Sequence, residues 1–424
     1  MINLIGRIQY RIAQSFRTLY AHSVLLAMLV ARPVSHFRLA TFRGDRIGHF
    51  ISETDLAIQL LKMNPSRSTR DVFIFPTEIC NAYLKDLYWQ ELESLPAVAV
   101  LDASNSWLAR RLLGPARYLK SRVMSSGESH WAYAGSPVNG GIDADPCGLK
   151  PSGRPHVRLH PLEKRGALSH ALAMGIDMQA PFVCLQVRDS AYLSRMDPSR
   201  DWSYHDYRDP DPATYVPTVD YLLAEGFQVI RMGREVNAPF PFEGPGFVDY
   251  AVSEARSDFL DVMLFAGSSM VISGSSSGIE QLGTMFNRPL VVTNFIPFTE
   301  PRWAVELGTF LPALLRNRVS RTLLPLSAMM RSRFGNSREY QDSGLEIVRN
   351  RPDEIVEVVA ETLERSRGTW ATSIEAESLQ ASFWAWAEKC EIRRKSLNGP
   401  WSASHYRARL GSAFLYKYRD FLLS

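Results

Sequence analysis

Apolar and polar positions fall in blocks along this chain, and the blocks predict strands followed by helices. Runs rich in β-branched and aromatic residues at 37–42, 71–75 and 97–101 read as three strands. Leu56, Ile58, Leu60 and Leu61, then Tyr83, Leu84, Leu87 and Tyr88, supply helical patterns between them. A second series begins at Pro181, with strands at 182–187, 227–230, 247–249 and 270–272 and helices at 215–223 and 259–266. Another apolar run, 289–293, closes it. Strands alternating with helices in both halves predict an α/β fold with two parallel, doubly wound sheets. After Asp353 the pattern is helical only, through 355–363 and 383–386.

The stretch 127–161 is rich in Gly, Pro and Ser and reads as loops and a linker. The expected organisation is an N-terminal amphipathic segment over 1–35, Rossmann-like domains over 36–175 and 176–353, and a helical tail over 354–424. A length of 424 residues suits two cores rather than one. Hydrophobic content of 46% and charged content of 22% are those of a soluble globular protein, and a net charge of +4 is too small to argue for nucleic acid. Cys80, Cys147, Cys184 and Cys390 are far apart, which excludes a disulfide framework or a Cys metal site and favours a reducing, cytoplasmic setting.

The N-terminus adds a membrane question. Ile5, Ile8, Ile12, Phe16 and Leu19 recur at helical spacing, with Arg7, Arg11 and Gln14 on another face. The apolar run 24–30 is far short of the roughly 20 residues that a span needs. Residues 1–31 are expected to form a pair of amphipathic helices, lying on the inner membrane surface or docked on the body of the protein.

Candidate chemistry gathers at strand ends, where open α/β sheets bind ligands. Ser273, Gly274, Ser275, Ser276, Ser277 and Gly278 form a loop between a strand and a helix. Such a loop offers backbone N–H groups to a phosphate. Glu280 follows in the first helical turn, where a carboxylate could take ribose hydroxyls. Arg188 and Arg231 end two further strands. Together these predict a site for a nucleotide-diphosphate sugar; the plainer reading is a βαβ crossover with a Ser helix cap. Arg188 would neutralise a leaving diphosphate, or else pair with Asp189 or Asp206. His205, beside Asp206, would act as a base or bind phosphate, or else sit in a packing loop with Trp202 and Tyr207. Asp45 and His49, after the first strand, are candidates for the base that deprotonates an acceptor, with helix capping as the alternative for Asp45.

Two Asp-x-Asp triplets, Asp143 with Asp145 and Asp209 with Asp211, resemble a metal pair, but the second reads as a turn and no essential metal is expected. The run 274–278 also fits the bare Gly-x-Ser-x-Gly pattern of a hydrolase nucleophile, but only His405 follows it, in a helical tail.

Three segments carry a family resemblance: CLQVRDSAYL from Cys184, HDYRDPDPATYVPTVDYLLAEGFQVIRMG from His205, and VDYAVSEARSDFLDVMLFAGSSMVISGSSSG from Val248. They resemble a bacterial family of predicted glycosyltransferases found among surface-polysaccharide genes. The first half matches only at GDRIGHF, 44–50. The resemblance implies a GT-B-like fold, two Rossmann-like domains facing a cleft, with the donor in the second. It implies transfer of a sugar from an activated donor. The strand-end residues make a nucleotide sugar the expected donor, a glycan or lipid-linked molecule is the expected acceptor, and no further cofactor is expected. The spacing from Gly274 to Glu280 is similar to that of the ribose contact in the undecaprenyl-muramoyl-peptide GlcNAc transferase. A GT-B-shaped sugar-nucleotide epimerase, a phosphate-linked group transferase and a non-catalytic sugar-nucleotide-binding scaffold remain alternatives.

Overall fold

The structure is a computed structural model that describes residues 2–31, 33–34, 36–63, 69–126, 157–275, 277–296, 308–331, 334–389 and 408–419. Two compact units emerge, one built mainly from Met1–Leu149 and the other mainly from Leu159–Arg394 with Pro400–Ser424.

The first unit runs α1 (Ile2–Ala31), β1 (His36–Thr41), α2 (Ile47–Met63), β2 (Thr69–Phe75), α3 (Ala82–Glu93), β3 (Val98–Asp102) and α4 (Trp107–Ser126). Its three strands pair in parallel in the order β1-β2-β3. Aromatic side chains fill one side: Phe42 stacks on Phe73 at 5.2 Å, and Phe50 meets Tyr88 edge-on at 5.6 Å. Asn81 caps α3 by accepting the Leu84 N–H at 2.8 Å. Leu84, Leu87, Tyr88 and Leu92 then bury one helical face. The N-terminus differs from the expected helix pair. It is a single helix, because the apolar run 24–30 prolongs it without a break. Val24 and Met28 pack on a cluster of Leu39, Ile74, Ala109 and Leu113.

The second unit begins with α5 (Pro161–Leu172), β4 (Phe182–Gln186), α6 (Ala191–Met196), α7 (Val216–Ala224), β5 (Gln228–Met232) and β6 (Phe247–Val248). It continues through α8 (Asp258–Gly267), β7 (Met270–Ser273), α9 (Glu280–Met285), β8 (Leu290–Phe295) and β9 (Gly308–Pro312). Then come β10 (Leu314–Asn317), α10 (Leu326–Arg331), α11 (Ser337–Asp342), β11 (Leu345–Val348), α12 (Pro352–Arg367), α13 (Ile374–Lys389), β12 (Arg409–Leu410) and α14 (Ser412–Lys417). Seven strands form one parallel sheet in the order β12-β9-β8-β7-β4-β5-β6, and β10 pairs antiparallel with β11. Every residue of β4, β7, β8 and β9 is buried, the reason these strands are continuous apolar runs rather than alternating ones. From β4 the chain winds outward through β5 and β6, then returns to the other side of β4 with β7 and winds away through β8 and β9. The reversal lies between β4 and β7.

Two expectations change here. Helix α5 packs on α8 in the second unit, ahead of the boundary expected at 175. The segment after Asp353 is not purely helical: Arg409 and Leu410 pair with Thr309 and Phe310 and extend the sheet. Two residues are too few for a strand periodicity to show. Helix α12 is likewise integral, packing against α7, β8 and β9. Pro352 opens it, Glu354 accepts the Arg351 N–H at 2.9 Å, and Gly368 ends it in the left-handed region.

Candidate functional site

The carboxyl ends of β4 and β7 are adjacent, with Gln186 in register with Ser273. The Gly274 N–H donates to the Gln186 carbonyl at 2.7 Å, so the Ser loop starts beside the segment that carries Arg188. The approach is tight. A Cβ on Gly274 would lie 2.9 Å from the Tyr215 hydroxyl and 3.2 Å from the Val187 Cα, so only glycine fits. The Ser273 hydroxyl is buried and donates to the Ser275 carbonyl at 2.6 Å. The Ser275 Oγ is buried with no hydrogen-bond partner among the described residues. Ser277 and Gly278 are half-buried; Ser276, and with it the centre of the hydrolase-like pattern, lies outside the described residues, as does His405.

Tyr215 forms the floor of this loop. Its hydroxyl donates to the Gly274 carbonyl at 3.1 Å, accepts from Asn294 Nδ2 at 2.9 Å and lies 2.7 Å from Thr293 Oγ1. Burial, against hydrogen bonds from Thr293 and Asn294, pushes its phenol up to about 12. Asn294 sits at φ 49°, a left-handed conformation that Asn tolerates. It is locked to Asn350: the Asn350 N–H donates to Asn294 Oδ1 at 2.8 Å and the Asn294 N–H donates to Asn350 Oδ1 at 2.5 Å. This lock sets the preceding residue, Arg349, whose Nη2 donates to the Asp209 carbonyl at 3.1 Å. Arg349 Nη1 is buried without a hydrogen-bond partner among the described residues, and burial lowers the guanidinium from its ordinary value.

Arg188 donates to the Asp209 carboxylate and, at 3.2 Å, to the His205 carbonyl. Asp209 is thus a partner that the sequence did not suggest, and the Arg188 charge also acts on Asp206. Asp189 accepts the N–H groups of Ala191 and Asn237, at 2.9 and 3.0 Å. Burial pushes Asp209 up to about 6; Arg188 opposes the shift, while Asp206 and Asp189 add to it. His205 is half-buried in a 3-10 turn, Ser203–Arg208, its ring 4.1 Å from that of Tyr204 and near Trp202. Ser337 at the start of α11 holds this turn, accepting the Tyr207 N–H at 3.1 Å and donating to the Ser203 carbonyl at 2.9 Å. The carboxylates of Asp209 and Asp211 go separate ways: Asp211 caps the turn Pro212–Tyr215 through the Ala213 N–H at 2.9 Å.

Two expected ligands are corrected. Arg231 is fully buried, pairs with Asp249 at 3.1 Å and donates to the Ala238 carbonyl at 2.9 Å. It ties down the loop after β5 instead of offering a cation to an anion. Glu280 is also fully buried, and its carboxylate accepts the Ser277 N–H at 3.2 Å. It closes the loop from within. Cys184 is a core residue of β4, its thiol pushed well up by burial.

Asp45 and His49 belong to the first unit, after β1 and in the first turn of α2. Gly44 is fixed there because a Cβ would come within 2.3 Å of the Glu78 carbonyl oxygen. Arg43 donates to Asp45 at 3.0 Å, and Arg46 stands 4.0 Å away. Burial opposes them, but these two cations hold Asp45 below the usual carboxylate range. A carboxylate so held is a weak base.

Sequence pattern missed Asp209, Tyr215, Arg349 and the Asn294–Asn350 lock. A glycine at 274 hinted at close approach, but nothing local marks Arg349. No protein-family model and no curated protein matches the sequence. Among solved structures, a family 9 glycosyl transferase from Veillonella parvula is 9% identical, covering 78% of this chain and 97% of its own, with a TM-score of 0.43. The ADP-heptose LPS heptosyltransferase II of E. coli is 12% identical, covering 60% and 84%, with a TM-score of 0.31. With TM-scores below 0.5, neither likeness bears on what the site does.

Proposed function

We propose that this protein is a glycosyltransferase that holds the diphosphate of a nucleotide-sugar donor at the β4/β7 reversal point. One observation carries the reading. Arg188 and the glycine-tight loop 274–278 flank the place where the strand order of a parallel sheet reverses, the position at which open α/β sheets take ligands. As the glycosidic bond to the diphosphate breaks, negative charge grows on the leaving oxygen. Arg188, with Arg349 nearby, opposes that charge. As the acceptor's base we propose His49, on its sequence position after the first strand alone. A role in surface-glycan assembly rests on the motif resemblance, and a glycan or lipid-linked acceptor is what such a role would use.

A panel of UDP-, GDP-, CMP- and dTDP-sugars, read by thermal shift and then by donor turnover, tests this. One nucleotide class should stabilise the protein, and that donor should be consumed only with an acceptor. Consumption without acceptor would make it an epimerase. Tight binding without turnover would make it a scaffold. If no class shifts the melting temperature, the site is misassigned.

A further inference from the structure

We propose that α1 and the start of α4 form a face that docks on an anionic lipid surface. This goes beyond the sugar-transfer reading and does not rest on it. On α1, Phe16, Leu19, Leu26 and Val30 are 69%, 67%, 62% and 72% exposed. Their spacing puts them on one side of the helix. The other side carries Ala21, Val24 and Met28, and the last two pack on the core of the first unit. The helix is therefore already docked by one apolar side and presents a second. Helix α4 packs along α1, and at its start Trp107 is 65% exposed with Leu108 beside it. Among the described residues of the second unit, the exposed large apolar ones, Leu162, Leu172, Met196, Val252, Val319 and Ile374, are scattered along the sequence, and single exposed apolar residues are ordinary on a protein surface.

Charge selects the occupant. Residues 1–44 hold six Arg and no Asp, Glu or Lys. Residues 103–127 hold Arg110, Arg111, Arg117, Lys120 and Arg122 and no acidic residue. Taking these eleven from the chain's 48 basic residues leaves 37 against all 44 acidic ones, so the rest of the protein is net negative. The segments with the open apolar face thus hold the whole excess of positive charge. Arg110 and Arg111 are exposed in the first turns of α4, and Arg111 lies 5.2 Å over the Trp107 ring. A second copy of this chain would bring like charge against like. An anionic bilayer offers apolar depth and negative headgroups together, and Trp suits the boundary between them. Among the described residues no helix is long and apolar enough to cross a membrane, so the face lies on the surface.

Flotation of the full-length protein with neutral phosphatidylcholine vesicles, and with vesicles that also contain phosphatidylglycerol, tests this. The protein should float with the anionic vesicles alone, and raising the salt should cut the bound fraction, since exposed charges are screened within about 10 Å at 0.1 M. The double variant Arg110→Glu, Arg111→Glu should bind about thirtyfold more weakly or worse, as roughly 1 kcal/mol for each lost surface cation implies. The triple variant Leu19→Ser, Leu26→Ser, Val30→Ser should bind at least about tenfold more weakly, since it removes buried apolar area. Both should melt as the parent does without vesicles. Equal flotation with neutral vesicles, no flotation at all, or folded variants that float as well as the parent would each overturn the proposal. So would a solution dimer dissolved by the triple variant with lipid binding unchanged, since a second copy would then be the occupant.

Discussion

Arg188 meets the carboxylate of Asp209, 21 residues further along the chain, at the point where the seven-stranded sheet reverses its winding. The cation proposed to receive a donor diphosphate therefore already has an anionic partner within the fold. Arg349 joins the same residue through its carbonyl, so one short segment contacts both guanidinium groups.

Replacing Arg188 with Ala should lower kcat with a nucleotide-sugar donor, by about 2–4 kcal/mol of transition-state stabilisation. Arg188→Lys should recover part of it, because a point charge cannot reproduce the planar fork. Steady-state kinetics on the donor found by thermal shift measure this. An Arg188→Ala enzyme of full activity would remove the residue from the site.

Asp209 gives a pH dependence with a definite sign. Its folded pKa, about 6, lies above the ordinary carboxyl value of about 3.9. Its contribution to stability is thus fully present below about pH 4 and is lost as pH rises through about 6. Protonation also weakens its hold on Arg188, so donor affinity should rise as pH falls from about 7 toward 5.5. Titration calorimetry across that range should show the rise in the parent and a flat profile in Asp209→Asn. The same slope in both would mean that another group titrates.

Asn350→Ala should cost about 1–3 kcal/mol, because it strands the buried Asn294 N–H and the Pro312 carbonyl, which accepts from Asn350 Nδ2 at 2.7 Å. It should also weaken donor binding, since Arg349 loses its anchor. A chemical denaturation curve and a binding isotherm on the same preparation separate the two effects. Unchanged affinity in a destabilised but folded variant would place Arg349 outside the site.

Arg231→Met should destabilise the fold and leave donor affinity nearly unchanged in the protein that remains folded. The half-buried Asp249 loses its cation, which should cost somewhat less than the roughly 3–5 kcal/mol of breaking a fully buried pair. Thermal melts report the first effect. A selective loss of donor affinity with no change in melting would restore Arg231 as a ligand.

His49→Ala should lower kcat with little change in the donor KM, and Asp45→Asn should have the smaller effect of the two. Asp45 is held ionised by Arg43 and Arg46, which leaves it little affinity for a proton. Should Asp45→Asn abolish turnover while His49→Ala is active, the roles are reversed.

By itself the sequence determined the alternation of strands and helices, because a strand buried on both faces must be a continuous apolar run. That is a local property, and β4, β7 and β8 fall within a residue or two of the runs expected at 182–187, 270–272 and 289–293. The glycine at 274 and the Arg at 188 were legible for the same reason, since each stands at the end of such a run. Tertiary structure alone decided the strand order, and with it which strand ends are neighbours. It turned Arg231 inward to Asp249, closed Glu280 on its own loop, and gave Arg188 a partner in Asp209, 21 residues away. It also brought Arg349 to Asp209 across 140 residues of chain. Periodicity reports how a segment meets the core. The partner of a charge depends on distances set by the whole fold, and no local pattern encodes them.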